Sequence, residues 1–308
     1  MIDPRRLRVL RALADHGTVT AAAQALYLSP SAVSQQLAAL EAEVGHSLLE
    51  RRGRAVGLTA TGTILAAHAG RIAEQLERAE ADLAAVSEGV AGEVTVAAFA
   101  TAITEVVTPA VAALRDRAPG VHIRVRDAEG HASLRLLVDG EVDVAVAVQH
   151  RDTLAPGEDQ VLRQSLYAEP FDVVLPPGHP AGRASEIGLA ALSGDPWITP
   201  WPGNPVHDVV LHACEEAGFT PRVECVSDDF RAVCALVAVG SGVALVPRSA
   251  LRGIDRYGAV VRPVGGRPPI RRVFTAVRRG SETHPLLELA LAELRTQAEA
   301  GFRADEGG

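Results

Sequence analysis

The stretch that decides the fold is residues 18–43, TVTAAAQALYLSPSAVSQQLAALEAE. Alanines at 21, 22, 23 and 25, followed by Leu26, read as a short helix that a neighbour can approach closely, with Thr20 as its N-cap. A second helix starts at the N-cap Ser29, with Pro30 in the first helical position, where a missing N–H costs nothing. At 100° per residue, Val33, Leu37, Leu40 and Val44 share one face, and Ser31, Ser34, Gln35 and Ala38 share the opposite one. That opposite face is small, polar and uncharged. It suits a DNA major groove, where small residues permit close approach and hydroxyls and amides meet phosphates and base edges. An ordinary amphipathic helical hairpin gives the same wheel, so the flanking sequence must decide.

Upstream, residues 4–16 read as a helix with Leu7, Leu10, Leu13 and Ala14 inward, closed by Gly17. Downstream, Gly45 ends the second helix, and HSLLERRGRAVGLT (46–59) reads as a two-stranded wing carrying Arg51, Arg52 and Arg54 at its tip. Cations there reach backbone phosphates or a minor groove. The charge distribution agrees. The 308-residue chain carries a net charge of −8, yet residues 1–58 hold seven Arg against five acids. A small basic end on an acidic body fits a DNA-binding module joined to a part that avoids DNA.

Residues 61–88 predict one long helix. Leu65, Ala69, Ile72, Leu76, Ala79, Leu83 and Val86 recur at alternating spacings of four and three, a coiled-coil seam that a single helix cannot bury. The regularity favours dimerisation. Gly89 and Gly92 mark a boundary, and beyond it strands alternate with helices, as in a parallel α/β sheet. The segments around 123–146 and 223–246 follow one pattern of strand, acidic turn, helix, Gly and buried strand, which predicts two related subdomains facing a cleft. The predicted strands of the second unit include 171–175 and 197–199; a strand over 271–278 returns to the first subdomain, and a helix over 286–298 ends the fold.

Such a cleft is where a two-lobed α/β protein takes its ligand. Phe99, Ala100 and Thr101 follow the first strand and open a helix; Gln149 follows the last strand of the first unit, beside His150; Thr199, Trp201 and Asn204 lead into another helix; Asp228 follows the strand of the second unit. Helix N-termini lean toward a carboxylate or other small anion. Thr101 and Asn204 also read as plain helix caps, and Trp201 as lining.

At this point the chain resembles the LysR-type transcriptional regulators, in LRVLRALADHGTVTAAAQAL, LSPSAVSQQLAALEAEVG and LLERRGRAVGLTATG, and more weakly to its end. The resemblance implies an N-terminal all-α winged helix-turn-helix plus linker helix, and a C-terminal α/β two-subdomain domain like that of periplasmic binding proteins. The expected boundaries are 1–60, 61–88 and 92–300, with subdomain I at 92–168 and 268–300 and subdomain II at 169–267. It implies double-stranded DNA with an interrupted dyad as one partner, a small-molecule effector as the other, and a homodimer through 61–88 or a tetramer built from it. One departure matters. The family's usual Ser-Gln-Pro-Ala-Val-Ser is Ser29-Pro30-Ser31-Ala32-Val33-Ser34 here, so the glutamine often used for base contact is missing from the Pro30-Ser31 start of the helix, and Gln35 stands where Arg is frequent.

The sequence has no GxSxG, HExxH, P-loop or GxGxxG after a strand, so neither an enzyme nor a cofactor is expected. Gly178-His179-Pro180 reads as structural. No apolar run reaches a membrane span and no signal peptide opens the chain, which predicts a cytoplasmic protein with no membrane partner. Two rivals stay open: a small-molecule binding or transport protein with a helical appendage, and a regulator whose signal is oxidation of Cys225 with Cys234 or Cys214. Otherwise the three cysteines, which show no CxxC spacing, are buried reduced thiols.

Overall fold

The computed structural model describes residues 2–52, 55–86, 90–149, 158–253 and 256–302. Helix α1 (Pro4–His16) starts at Asp3, whose carboxylate accepts the Arg5 N–H, and ends on Gly17 at φ +71°. Leu7, Leu10 and Leu13 are buried as expected; Ala14 is exposed instead, and Val9 and Ala12 take inward positions. Helix α2 (Val19–Ala25) is capped by Thr18 and not by Thr20. The cap requires extended backbone, which Thr18 has at φ −139°, and its hydroxyl accepts the Ala21 N–H at 3.1 Å. Thr20 already lies inside the helix.

Helix α3 (Pro30–Val44) begins at Ser29, whose hydroxyl accepts the Ala32 N–H. Val33, Leu37 and Leu40 are buried against α1 and Leu48, worth about 1.5–3 kcal/mol each by transfer from water. Strands β1 (Leu49–Arg52) and β2 (Ala55–Leu58) pair antiparallel as the wing. Glu41 ties it to α3 by accepting the N–H groups of Leu48 and Leu49 at 2.7 and 3.1 Å.

Helix α4 (Ala60–Val86) divides the predicted seam in two. Its first turns belong to the head: Ala66 and Ala69 are buried in the head core with Leu65 packed against it, and Gly62 lies so close to the Leu48 carbonyl that a Cβ would overlap it. Further along, Ile72, Leu76, Leu83 and Val86 are exposed. The seam left for a partner is therefore shorter than the heptads suggested.

The body opens with β3 (Gly92–Ala98), then α5 (Ala100–Ala102), a π-turn (Ile103–Val107) and α6 (Thr108–Arg117) as one helical run. Pro109 accounts for the π-turn, because it lacks an N–H and its ring crowds the preceding turn. Next come β4 (Val121–Asp127), α7 (His131–Val138), β5 (Val144–Val148) and β6 (Val161–Leu175). The second unit follows with β7 (Pro196–Thr199), α8 (Pro205–Glu216), β8 (Arg222–Val226), α9 (Phe230–Ala238) and β9 (Ala244–Pro247). Strands β10 (Val260–Pro263) and β11 (Ile270–Arg278) and helix α10 (Pro285–Phe302) complete the chain.

The expected parallel sheet is mixed. Strand β3 pairs in parallel with β4 and β5, while β11 pairs antiparallel with β5 and β6, and β6 with β9 and β10. Strand β6 runs for 15 residues, of which the sequence showed only 171–175, because polar residues 163–165 and Pro170 interrupt the apolar pattern. The internal repeat is present: β4–α7–β5 flanks β3 as β8–α9–β9 flanks β7, the last contact being a single bridge from Trp197 to Val243. Strand β6 serves both units, pairing with β11 through residues 161–170 and with β9 and β10 through residues 171–175. Two apolar clusters fill each lobe, one on either side of its strands. No described helix is long and apolar enough to cross a membrane.

Candidate DNA-reading face and effector cleft

On α3 the residues Pro30, Ser31, Ser34 and Gln35 are all exposed, opposite the buried stripe. Ser34 Oγ donates to the Pro30 carbonyl at 3.0 Å, and the Ser29 and Ser31 hydroxyls lie 3.0 Å apart. These local bonds fix both hydroxyls on the outer face and leave lone pairs outward. Thr20 is exposed on the adjacent helix. Arg51 and Arg52 sit on β1 opposite Val56 and Ala55, while Arg54 lies outside the described residues, as does His150. The turn between α2 and α3 holds Tyr27 at φ +54° with 80 % of its surface exposed.

The cleft is organised by a residue that the sequence did not single out. Arg271 on β11 is fully buried and lies directly across from Glu169 on β6, with a 2.6 Å contact between them. The same guanidinium donates to Thr101 Oγ1 at 2.8 Å and Ser249 Oγ at 3.3 Å, and stacks 5.0 Å from the Phe99 ring. Ser249 in turn donates its backbone N–H to Glu169 at 2.9 Å. Phe99 and Thr101 from the first lobe, and Ser249 from the second, therefore meet on one ion pair, while the Ala100 backbone bonds the Glu129 carboxylate. Thr101 is not a cap; Phe99 occupies the cap position and makes no side-chain bond to the helix. A lone Arg in an alternating strand carries no mark of this role, and Glu169 falls in the part of β6 that the sequence hid.

At the mouth, Asn204 caps α8 by accepting the Val206 N–H at 2.9 Å and donates to Asp228 at 3.0 Å. Asp228 also accepts the Trp201 backbone N–H at 3.1 Å, leaving the indole largely exposed. Asn204 reaches across the cleft to Glu129 at 3.5 Å. Crowding by protein, then the Asp228 charge, push the Glu129 carboxyl up to about 7, although the residue keeps exposed surface. Glu129 was missed too. The signal lay in the repeat, since it belongs to the acidic turn that corresponds to the one holding Asp228. Thr199 is buried at the end of β7, its hydroxyl without a hydrogen-bond partner among the described residues. Gln149 does not join the group: its N–H donates to the Arg272 carbonyl, and it lines a separate groove of about 470 Å³ beside Val209 and His212 of α8. A larger cavity, about 780 Å³, lies between α1, α4 and the body.

No group of three or more His, Cys, Asp or Glu side chains among the described residues is arranged to hold a metal. His179 is structural, its Nδ1 accepting the Ala181 N–H and its Nε2 lying 3.3 Å from Asp195. Cys214 and Cys234 are buried and Cys225 half-buried, all as free thiols. Burial pushes Cys214 up to about 12 and raises Cys234, which keeps both far from thiolate.

Comparison with known proteins matches both ends of the chain. Residues 4–63 match the bacterial regulatory helix-turn-helix protein model of the lysR family, and residues 87–299 match the LysR substrate binding domain. The chain is 32 % identical over 250 residues to a probable hydrogen peroxide-inducible genes activator of Mycobacterium avium, covering 80 % of this chain and 78 % of that protein. Among solved structures it resembles a full-length OxyR variant from Pseudomonas aeruginosa, with a TM-score of 0.64 and 26 % identity over 96 % of this chain and 98 % of the other. It also resembles full-length CbnR complexed with its target DNA, with a TM-score of 0.55 and 25 % identity over 96 % and 99 %. With a reading helix and wing at one end and a two-lobed domain over most of the remainder, the chain belongs to the LysR family of DNA-binding transcriptional regulators.

Proposed function

We propose that Pro30, Ser31, Ser34 and Gln35 enter the major groove, that Thr20 touches the adjoining backbone, and that Arg51, Arg52 and Arg54 hold phosphates. The single observation that carries this reading is the exposed, uncharged polar face that α3 keeps opposite its buried stripe, in a helix-turn-helix head whose sequence is basic while the rest of the chain is acidic. The exposed half of the α4 seam pairs with that of a second copy, so that residues 61–88 space two heads on an interrupted dyad. The division into 1–60, 61–88 and 92–300 follows from this use. The cleft between the lobes takes the effector, a small and preferably anionic molecule, through Phe99, Ala100, Thr101, Thr199, Trp201, Asn204 and Asp228. Arg271 and Glu129 are added to that set and Gln149 is moved to its edge. The protein works where the DNA is, in the cytoplasm, and performs no catalysis. The peroxide response named for one relative is not carried over to this chain: burial raises the Cys214 and Cys234 thiols, and a redox role would fall to the half-buried Cys225, whose replacement by Ser tests it.

The test is a gel shift on a genomic fragment recovered with the wild-type protein. Replacing Ser34 and Gln35 by Ala costs about 1–3 kcal/mol per lost base contact and flattens discrimination between this fragment and random DNA. Replacing Arg52 and Arg54 by Ala weakens both equally and lowers the salt slope by about 1 for each phosphate contact. Undiminished specificity in the Ser34, Gln35 variant refutes the groove assignment.

A further inference from the structure

The DNA-reading head does not hang on α4 alone. His16 Nε2, at the end of α1, lies 2.8 Å from Asp139 Oδ1 in the turn after α7, and both side chains are largely covered. The Tyr27 phenol, in the turn before α3, pairs with the Glu141 carboxylate, which Arg126 holds at 2.6 Å. Arg11 of α1 reaches Asp159 at 3.2 Å. The linker helix is tied to the same place: Glu77 accepts from Arg278 at 2.7 Å, and Arg278 donates onward to the Val142 and Leu137 carbonyls at 2.7 and 3.3 Å. The turn itself is tightly bonded, with the N–H groups of Asp139, Gly140 and Glu141 donating to the carbonyls of Arg135, Leu137 and Leu136. Residues 139–142 therefore form a cradle that receives the head on one side and the linker on the other.

The opposite end of α7 lies in the cleft. The helix opens at Gly130, φ +54°, and a Cβ there would stand 3.4 Å from Pro205 Cδ of the second lobe. Glu129, one residue earlier, meets Asn204 of that lobe. Between these contacts are the eight residues of α7, about 12 Å of helix, keyed to the sheet by Leu134 and Leu137. A short, packed helix does not bend over such a length. It passes a displacement of its first turn to its last, in the range of about 1–2 Å typical of packed helix shifts.

We propose that α7 is the element through which the cleft acts on the DNA-reading head: closure of the second lobe on Glu129 and Gly130 sets the position of the Asp139–Glu141 turn, and that turn sets how His16 and Tyr27 seat the head. The contacts place the signal in the same subunit, ending two residues before the cap of the reading helix. The inference rests on the cleft being the effector site, since that is what gives its closure a regulatory meaning.

Hydrogen exchange on the full-length protein, read by mass spectrometry without any ligand, tests the coupling. His16→Ala and Asp139→Asn remove the head contact directly and should speed exchange in residues 17–28 roughly three- to tenfold. Glu129→Ala and Asn204→Ala alter only the cleft end, yet should speed the same head segment at least about twofold. Gln149→Ala, on the neighbouring groove, should leave it unchanged. Exchange at 17–28 that stays at the wild-type rate in both cleft-end variants overturns the coupling, whether or not residues 131–134 respond. An equal acceleration in Gln149→Ala overturns it as well. No ligand enters the experiment, so its failure leaves the cleft as effector site standing.

Discussion

Replacing Arg271 by Met isolates the ion pair at the centre of the cleft. The change keeps much of the apolar stem but removes the guanidinium, and with it the 2.6 Å contact to Glu169 and the bonds to Thr101 and Ser249. Glu169, itself fully buried, then keeps the Ser249 N–H as its remaining bond among the described residues. A buried carboxylate deprived of its partner costs about 3–5 kcal/mol. At a urea dependence of about 1–3 kcal/mol per molar, the unfolding midpoint should fall by at least about 1 M. Trp197 reports the transition, because its indole is fully buried in the second lobe and donates to the Leu192 carbonyl. The double variant Arg271→Met, Glu169→Leu removes both charges and should return to within about 1 kcal/mol of the wild type, since a buried pair and a well-packed apolar substitute are often close in stability. The double variant thus recovers about 2–5 kcal/mol relative to Arg271→Met alone. A single variant that loses less than about 1 kcal/mol, or a double variant no better than the single, refutes the view that Arg271 owes its place to Glu169.

Three further outcomes are expected. Leu76→Glu with Leu83→Glu places charge on the exposed α4 stripe and should halve the mass measured by light scattering, while leaving the head's melting unchanged; an unaltered mass refutes pairing through that stripe. Hydrogen peroxide applied to the native protein should leave Cys214 and Cys234 unmodified by mass spectrometry, and rapid oxidation of either would contradict the burial that raises both thiols. Glu129, raised from 4.5 to about 7, binds its proton more tightly folded than unfolded. Wild-type stability should therefore fall relative to Glu129→Gln as pH rises from about 4.5 to about 7 and stay level above that, measured by denaturant titration at each pH; a constant difference across the window refutes the shift.

The reading end of this protein is legible in its sequence because local rules govern it. Ser29 and Pro30 fix where α3 begins, and the 100° wheel then separates Val33, Leu37 and Leu40 from Ser34 and Gln35 without knowledge of any distant residue. The repeat of strand, acidic turn, helix and glycine was equally visible, since each copy is a short continuous segment. Errors of one or two positions, such as Thr20 for Thr18, arise because two nearby threonines compete for the cap and only backbone conformation chooses between them. What the tertiary structure alone decided is long-range. Arg271 and Glu169 are 102 positions apart, and His16 and Asp139 are 123 apart. Neither pair has a local pattern, because an isolated charge in a strand or at a helix end looks the same whether it meets water or a partner. The seam of α4 shows the same limit: its spacing established an apolar stripe, but only packing against the head revealed which part of that stripe is already spent and which part still faces solvent.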